Sequence, residues 1–482
     1  MFGRHFALAA GLVWGSVAGT TLSAADKLNV LLIVIDDLNN DLGCYGHPMV
    51  KSPSIDRLAA RGVRFDRAYC QYPVCNPSRS SFLTGLYPQQ TGVLSNGGDF
   101  RKKLPEVVTL PQHFMNHGYF TARVGKIFHY GVPGQIGSPG EDDPASWNAT
   151  VNPRGRDKDD EPIIKSIRPD SRSFGGTLSW LAADGTDDEQ TDGIGAAACM
   201  KLMEDHHPAK TGKPFFIAMG FYRPHTPYVA PRKYFDMYPR DQIEPVKDPP
   251  NDRDDIPPAA LADRPGQLGM SDDRKREVIQ AYYAATTFMD AQVGRVVDAL
   301  DRLKLAESTV VLFVSDHGYH LGRHGLWQKS DLFEAGCRVP MILATPGMRT
   351  AGRATASLAE LTDIYPTLAD LCGLPRPGHV MGKTLRPVLD DPTKSVRDSA
   401  YTVSNARGKI PNKPPGGAPL GYTVRTERYR YTEWGDDARF GVELYDHQND
   451  PFEYTNLAQQ PGNEAWVTQM KRLLADRKAA AK

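Results

Sequence analysis

The 482-residue sequence predicts an α/β protein: a doubly wound, mostly parallel sheet flanked by helices, followed by a smaller C-terminal α+β unit. Three observations point there. Nearly continuous β-branched and apolar runs stop abruptly at polar residues, helical periodicity fills intervals between them, and the texture of the chain changes near residue 390. Runs without polar alternation suit strands buried on both faces, as parallel sheets require.

Residues 28–35 form the first such run and stop at Asp36-Asp37. Residues 119–124 lead to Gly125-Lys126 and then His129; residues 215–221 lead to Arg223-Pro224-His225. Residues 309–314 repeat the pattern of the first run and stop at Ser315-Asp316-His317-Gly318. Open α/β sheets hold ligands outside the carboxyl ends of their strands, so these runs deliver their polar groups to one edge. Between them, Val278, Ile279, Tyr282, Phe288, Met289, Val293, Val296 and Leu300 recur at near-helical spacing and predict a helix over 272–303. Residues 363–373 read as another helix, with Asp363 as N-cap, Pro366 in the first turn and Gly373 beyond the end. From about Ser395 the chain turns to short β-like stretches, 422–425 and 429–432, and a polar helical tail. Residues 131–192 and 239–270 are rich in Gly, Pro, Asp and Arg, and are expected to wall the pocket.

Bulk composition excludes some classes of function. Lys+Arg 57 against Asp+Glu 57 leaves no net charge, so no overall field draws the chain to nucleic acid, and any anion site must be local. Residues 1–25 read as a secretory signal: Arg4 and His5, an apolar stretch over 6–17, and Ser23-Ala24-Ala25 for cleavage near Ala25. The apolar stretch is short of the ~20 residues a membrane span needs. The expected organisation is a signal at 1–25, a catalytic unit at 26–390 and a C-terminal unit at 391–482. The mature chain is expected to be exported, periplasmic or extracellular, with no stable membrane span. Six cysteines lie far apart without a C-x-x-C spacing, which leaves room for one or two bridges but not a disulfide scaffold.

The richest motif is Cys75-Asn76-Pro77-Ser78-Arg79, running on to Gly85. Pro77 and the serines suit a first helical turn, where free amides face an anion and lower a thiol pKa. Arg79 adds a fork of donors matched to a tetrahedral oxyanion. A lone cysteine before a helix is ordinarily a small core residue. Asp36, Asp37, Asp316 and His317 offer enough ligands for a metal, because paired carboxylates need a cation or proton between them. Oxygen-rich ligation favours Ca²⁺ or Mg²⁺, while His317 admits a softer ion.

Cys-x-Pro-Ser-Arg, followed by Ser80 to Gly85 and Thr91-Gly92-Val93, resembles the maturation signature of type I sulfatases in the alkaline phosphatase-like superfamily. The resemblance spans residues 28 to 460 and includes the closing element at 443–457. It implies that a separate formylglycine-generating enzyme oxidises Cys75 to Cα-formylglycine. It also implies that Asp36, Asp37, Asp316 and His317, with the group made from Cys75, bind one Ca²⁺. The Asp-His-Gly form at 316–318 is similar to the iduronate-2-sulfatase-like branch, as is Leu321-Gly-x-His-Gly-x-Trp-x-Lys329. In that family a Gly-Lys-x-x-His element matches Lys126 and His129, while His225 matches the acid beside the ester oxygen and Lys329 the far-side sulfate ligand. Tyr319, His320, Arg323, His324 and Trp327 become candidate sugar contacts.

The implied reaction is attack on sulfur by one hydroxyl of the hydrated aldehyde, assisted by Arg79, with His225 protonating the departing alcohol. His129 then helps the second hydroxyl expel sulfate. The implied substrate is a sulfated sugar or polysaccharide. A phosphoester or phosphonate hydrolase of the same superfamily, and a non-catalytic glycan-binding homologue, are the alternatives.

Overall fold

A computed structural model describes Met1, Gly3 and residues 27–170, 173–410 and 417–482. The expected secretory signal falls almost wholly outside the described residues. The main sheet contains β1 (Asn29–Ile35), β2 (Val63–Tyr69), β3 (Phe120–Gly125), β4 (Ala149–Val151), β5 (Phe215–Phe221), β6 (Thr309–Ser315), β7 (Arg338–Ala344) and β8 (Ala354–Glu360). Their spatial order is β8-β2-β7-β6-β1-β5-β3-β4. Only β7 runs against its neighbours.

Side-chain alternation on β1 explains the layers. Leu31, Ile33 and Ile35 enter one core with α1 (Pro53–Arg61), α4 (Thr191–Asp205) and α5 (Asp272–Arg302). Val30, Leu32 and Val34 enter the opposite core with α2 (Cys75–Thr84), α3 (Leu110–Asn116) and α6 (Ile364–Leu371). Both faces of the strand are thus removed from water, which is why its sequence shows no polar alternation.

The C-terminal unit is a four-stranded antiparallel sheet of β9 (Ala400–Asn405), β10 (Leu420–Arg425), β11 (Tyr429–Trp434) and β12 (Val442–Asp446). Helix α7 (Glu464–Ala480) packs Met470 and Leu474 against it. No described helix is long and apolar enough to cross a membrane.

Two local expectations change. Asp363 stands at the N-cap position of α6 as expected, but its side chain makes no cap hydrogen bond there: a 3-10 turn, Leu361–Asp363, precedes the helix, and Asp363 has helical φ −73° and ψ −17°. Its carboxylate instead reaches back to the Glu360 N–H at 2.9 Å as the third residue of a capping box, and accepts from Arg397 Nε at 3.1 Å. The segment 131–192 is more than a loop, since it supplies edge strand β4 and a strand, Ser179–Ala183, paired in parallel with Tyr228–Pro231. None of the six cysteines is disulfide-bonded.

Candidate active site

Strand register brings the polar ends together. Ile35 pairs with Phe221 on one side and Ser315 on the other, so Asp36, Tyr222 and Asp316 leave the sheet at one level. Gly125 pairs with Gly220, which sends Lys126 over the same edge. A Cβ on Gly220 would meet the Lys126 carbonyl at 2.0 Å, so this crossing requires glycine. From the opposite layer α2 opens on Cys75, whose sulfur stands at the helix N-terminus with Val74 extended ahead of it.

All the groups are buried. Cys75 Sγ lies 3.4 Å from Asp36 Oδ1, 3.9 Å from Asp37 Oδ1 and 3.4 Å from His317 Nε2. Lys329 Nζ reaches Cys75 Sγ at 3.0 Å and also pairs with Asp37. Lys126 Nζ meets Asp36 Oδ2 at 2.5 Å. Arg79 Nε donates to Asp316 Oδ2 at 2.8 Å, while its Nη1 holds the Ile127 carbonyl at 3.0 Å, tying α2 to the loop after β3. His225 Nε2 stands 3.9 Å from Asp37 Oδ2.

Electrostatics follow from this crowding. Burial would push the Cys75 thiol up, but Lys126 and Lys329, with His129 and His225, draw it well below its ordinary value. Burial raises Asp36 to about 7, with the Cys75 sulfur adding to the rise against Lys126. Asp37 falls below the carboxylate range, because His225 and Lys329 outweigh its burial. His317 is held near 10 by Asp316 and Asp37 in spite of burial. Burial drops His129 to about 4.

The donor set fits a cation. One ligand atom each from Asp36, Asp37, Cys75 and His317 lies within 4.8 Å of the others. Asp37 Oδ2 is buried with no hydrogen-bond donor among the described residues. His317 Nδ1 lies 2.9 Å from the Gly318 carbonyl; donating there points Nε2 at the carboxylates, where a cation would take the place of its proton. Asp316 stands nearby, with Oδ1 3.6 Å from His317 Nε2, but also accepts from Arg79 and from the Asp37 and His317 amides.

The five candidate sugar contacts each have partners within the protein, and Tyr319, His320, Arg323 and His324 line one cavity. Tyr319 bonds Tyr228 through its hydroxyl and stacks on Tyr282. His320 pairs with Asp331 and His324 with Asp252, both at 2.9 Å. Trp327 is buried against Gly322, and Arg323 lies over Phe452. Supporting groups escaped the sequence reading. Tyr282 donates to the Asp37 carbonyl at 2.9 Å and accepts from the Asn39 amide at 2.9 Å, yet in sequence it belongs to the apolar stripe of α5. Ser78 Oγ donates to the Asp316 carbonyl at 2.5 Å; its place inside the cysteine motif was the available signal.

Residues 28–374 match the family model described as sulfatase. The chain belongs to the sulfatase family. Residues 322–480 of this sulfatase also match the model for the N-sulphoglucosamine sulphohydrolase C-terminal region. Iduronate 2-sulfatase of Mus musculus is 32% identical over 514 residues, covering 90% of this chain and 91% of that protein. In fold the enzyme is similar to the phosphonate monoester hydrolase of Agrobacterium radiobacter (TM-score 0.75, 23% identity, 95% of this chain and 96% of that one). It is also similar to a protein solved in complex with its substrate D-glucosamine-2-N,6-O-disulfate (TM-score 0.72, 20% identity, 94% and 98%). The sulfatase is thus iduronate-2-sulfatase-like in sequence over nearly its whole length.

Proposed function

We propose that this sulfatase removes sulfate from a sulfated sugar, using Cα-formylglycine made from Cys75 and one Ca²⁺. The observation that carries the reading is the convergence of Cys75 with Asp36, Asp37, His317 and Lys329 at one sheet edge. The hydrated aldehyde would supply the attacking oxygen, and Ca²⁺ held by Asp36, Asp37, Asp316 and His317 would supply positive charge. The rest is done by the chain's own side chains.

Lys126 and Lys329 offset charge that grows on the sulfuryl oxygens, and Arg79 locks Asp316 and the Lys126 loop in place. His225 carries its Nδ1 2.5 Å from the Thr226 carbonyl, so its Nε2 is the atom free to give a proton to the departing alcohol. His129, neutral at working pH because burial disfavours its charge, accepts a proton. We assign residues 1–25 as a leader directing export, 26–390 as the catalytic unit and 391–482 as the C-terminal unit; sulfated sugar and a maturation enzyme acting on Cys75 are the partners.

Free sulfate measured on sulfated glycans, beside kinetics on an aryl sulfate and the matching aryl phosphate, tests this. Sulfate release and preference for the sulfate ester are expected. Preference for the phosphorus ester would favour the second reading, a phosphonate or phosphoester hydrolase, which the phosphonate monoester hydrolase fold keeps in play. A peptide mass showing only cysteine at 75 in fully active enzyme would overturn the formylglycine assignment.

A further inference from the structure

The buried arginines of this protein are paired with acids. Arg79 meets Asp36 and Asp316, Arg397 meets Glu360 and Asp363, and Arg430 meets Glu334 and Glu453. Arg123, Arg223 and Arg425 each have a carboxylate too. Arg264, in the 239–270 segment, differs. Its side chain is half-buried, and its hydrogen bonds go to neutral acceptors: Nη1 to Gln328 Oε1 at 3.0 Å, Nη2 to the Lys329 carbonyl at 3.0 Å and to Ser330 Oγ at 3.3 Å. Among the described residues no carboxylate forms an ion pair with it. The other charged or ionisable groups acting on it are Tyr319, Arg407, Asp37 and Asp331, and Arg407 repels it.

A second donor beside it is also unspent. Gln328 is fully buried, and its Oε1 accepts from both Arg264 Nη1 and, at 2.7 Å, Gln267 Nε2. Those two donors fix the orientation of the amide, since turning it over would set N–H against N–H. Its Nε2 is left with no acceptor among the described residues, although buried donors are almost always paired. Both residues adjoin Lys329, whose Nζ is 3.0 Å from Cys75 Sγ. Gln328 (φ 71°) and Ser330 (φ 88°) hold the left-handed backbone that turns Lys329 inward.

We propose that Arg264 and Gln328 receive a second anionic group of the sulfated substrate, a carboxylate or a further sulfate on the sugar, one lysine side chain from the reacting centre. A planar fork accepts two oxygens of either group, and Gln328 Nε2 adds a third donor. A neutral hydroxyl would leave the arginine charge without a partner. The inference rests on the sulfate-ester reading above and makes Arg264 a determinant of specificity.

The test uses matured, Ca²⁺-loaded enzyme and three monosaccharide methyl glycosides that share one sulfate ester. One is otherwise neutral, one carries a carboxylate and one a second sulfate. Wild-type enzyme is expected to prefer one of the anionic pair, which identifies the group. Arg264→Gln should lower that preference about 10- to 100-fold, the scale of a charged hydrogen-bonded contact, through KM rather than kcat. Arg264→Lys should restore part of it. Equal loss of kcat on all three substrates would overturn the inference and leave Arg264 as a support for the Lys329 turn. Lack of preference in the wild type would also overturn it. Failure of the wild type to release sulfate from any of the three would overturn the sulfate-ester reading itself, and this inference with it.

Discussion

Two clusters in this sulfatase bring acids and a histidine to ligand spacing: Asp36, Asp37, Cys75 and His317, all buried, at the sheet edge, and half-buried Glu334 and His447 with buried Glu453 between the main sheet and the C-terminal unit. They differ in how their oxygens are used. Glu334 accepts from the Tyr69 hydroxyl at 2.9 Å on one oxygen, and on the other from Arg430 at 2.6 Å and Arg425 at 3.2 Å. Glu453 accepts from Arg430 at 2.7 Å, His447 at 3.0 Å and the Glu334 amide at 2.7 Å. Each of these four carboxylate oxygens has a donor, and both acids fall below their ordinary values, Glu453 to about 2, because the arginines and His447 outweigh burial. At the sheet edge Asp37 Oδ2 has no donor and Asp36 rises to about 7. Ligand spacing is common to the two clusters; of the two, the sheet edge is the one with an acid oxygen left without a donor.

The largest effect should come from the sheet edge. Cys75→Ala should cut sulfate release by about 10⁴-fold or more, the scale of nucleophile loss in other hydrolases, with circular dichroism and urea midpoint little changed. Comparable loss of folding would make Cys75 a packing residue and erase the contrast. Next, Arg430→Met breaks a buried pair and should lower unfolding free energy by about 3–5 kcal/mol in urea, while activity per folded molecule stays within a few-fold. Activity falling in step with Cys75→Ala would join the two clusters functionally.

Ca²⁺ at about 100 times its Kd should stabilise the protein by about 2.7 kcal/mol. Asp37→Asn should remove that gain and Glu453→Gln should keep it. A gain lost only in Glu453→Gln would move the ion to the other cluster.

The smallest effect is in pH dependence, read by urea titration in chelator. Glu453 binds fewer protons folded than unfolded, so its stabilisation is full above an ordinary carboxyl value of about 4.3 and is lost as pH falls toward about 2. Asp36 is the reverse: the folded chain keeps its proton up to about 7, so stability falls as pH rises from about 4 to about 7. Glu453→Gln should flatten the acid limb, and Asp36→Asn the fall in stability between about pH 4 and about pH 7. Slopes of the same sign would show that the two clusters titrate alike.

The strands were legible because each is a local run. Residues 215–221 form β5 as read, and the helix expected over 272–303 is α5 at Asp272–Arg302. Asp36, Asp316 and Cys75 were legible because they follow strand ends or head a helix, and their meeting is a matter of register. The helix start at Asp363 was legible from residue type, but the use of its carboxylate was not, since the capping box it completes begins at Glu360. Tyr282 and Arg264 gave no signal, as their partners lie far away in sequence: Asp37 is 245 residues from Tyr282, and Lys329 is 65 from Arg264.

Apolar runs, helical periodicity and the cysteine motif are written in neighbouring residues, so local chemistry alone settles the α/β layering and puts acids at the carboxyl edge. Which acid oxygen stays without a donor, which cluster closes on itself and which arginine lacks an acid depend on contacts hundreds of residues apart. Lys329 and Asp37, 292 positions distant in the chain, meet through the sheet edge and the left-handed turn at Gln328 and Ser330. Burial then sets the sign of each charge's effect, because desolvation and pairing act on distances that a linear pattern does not carry.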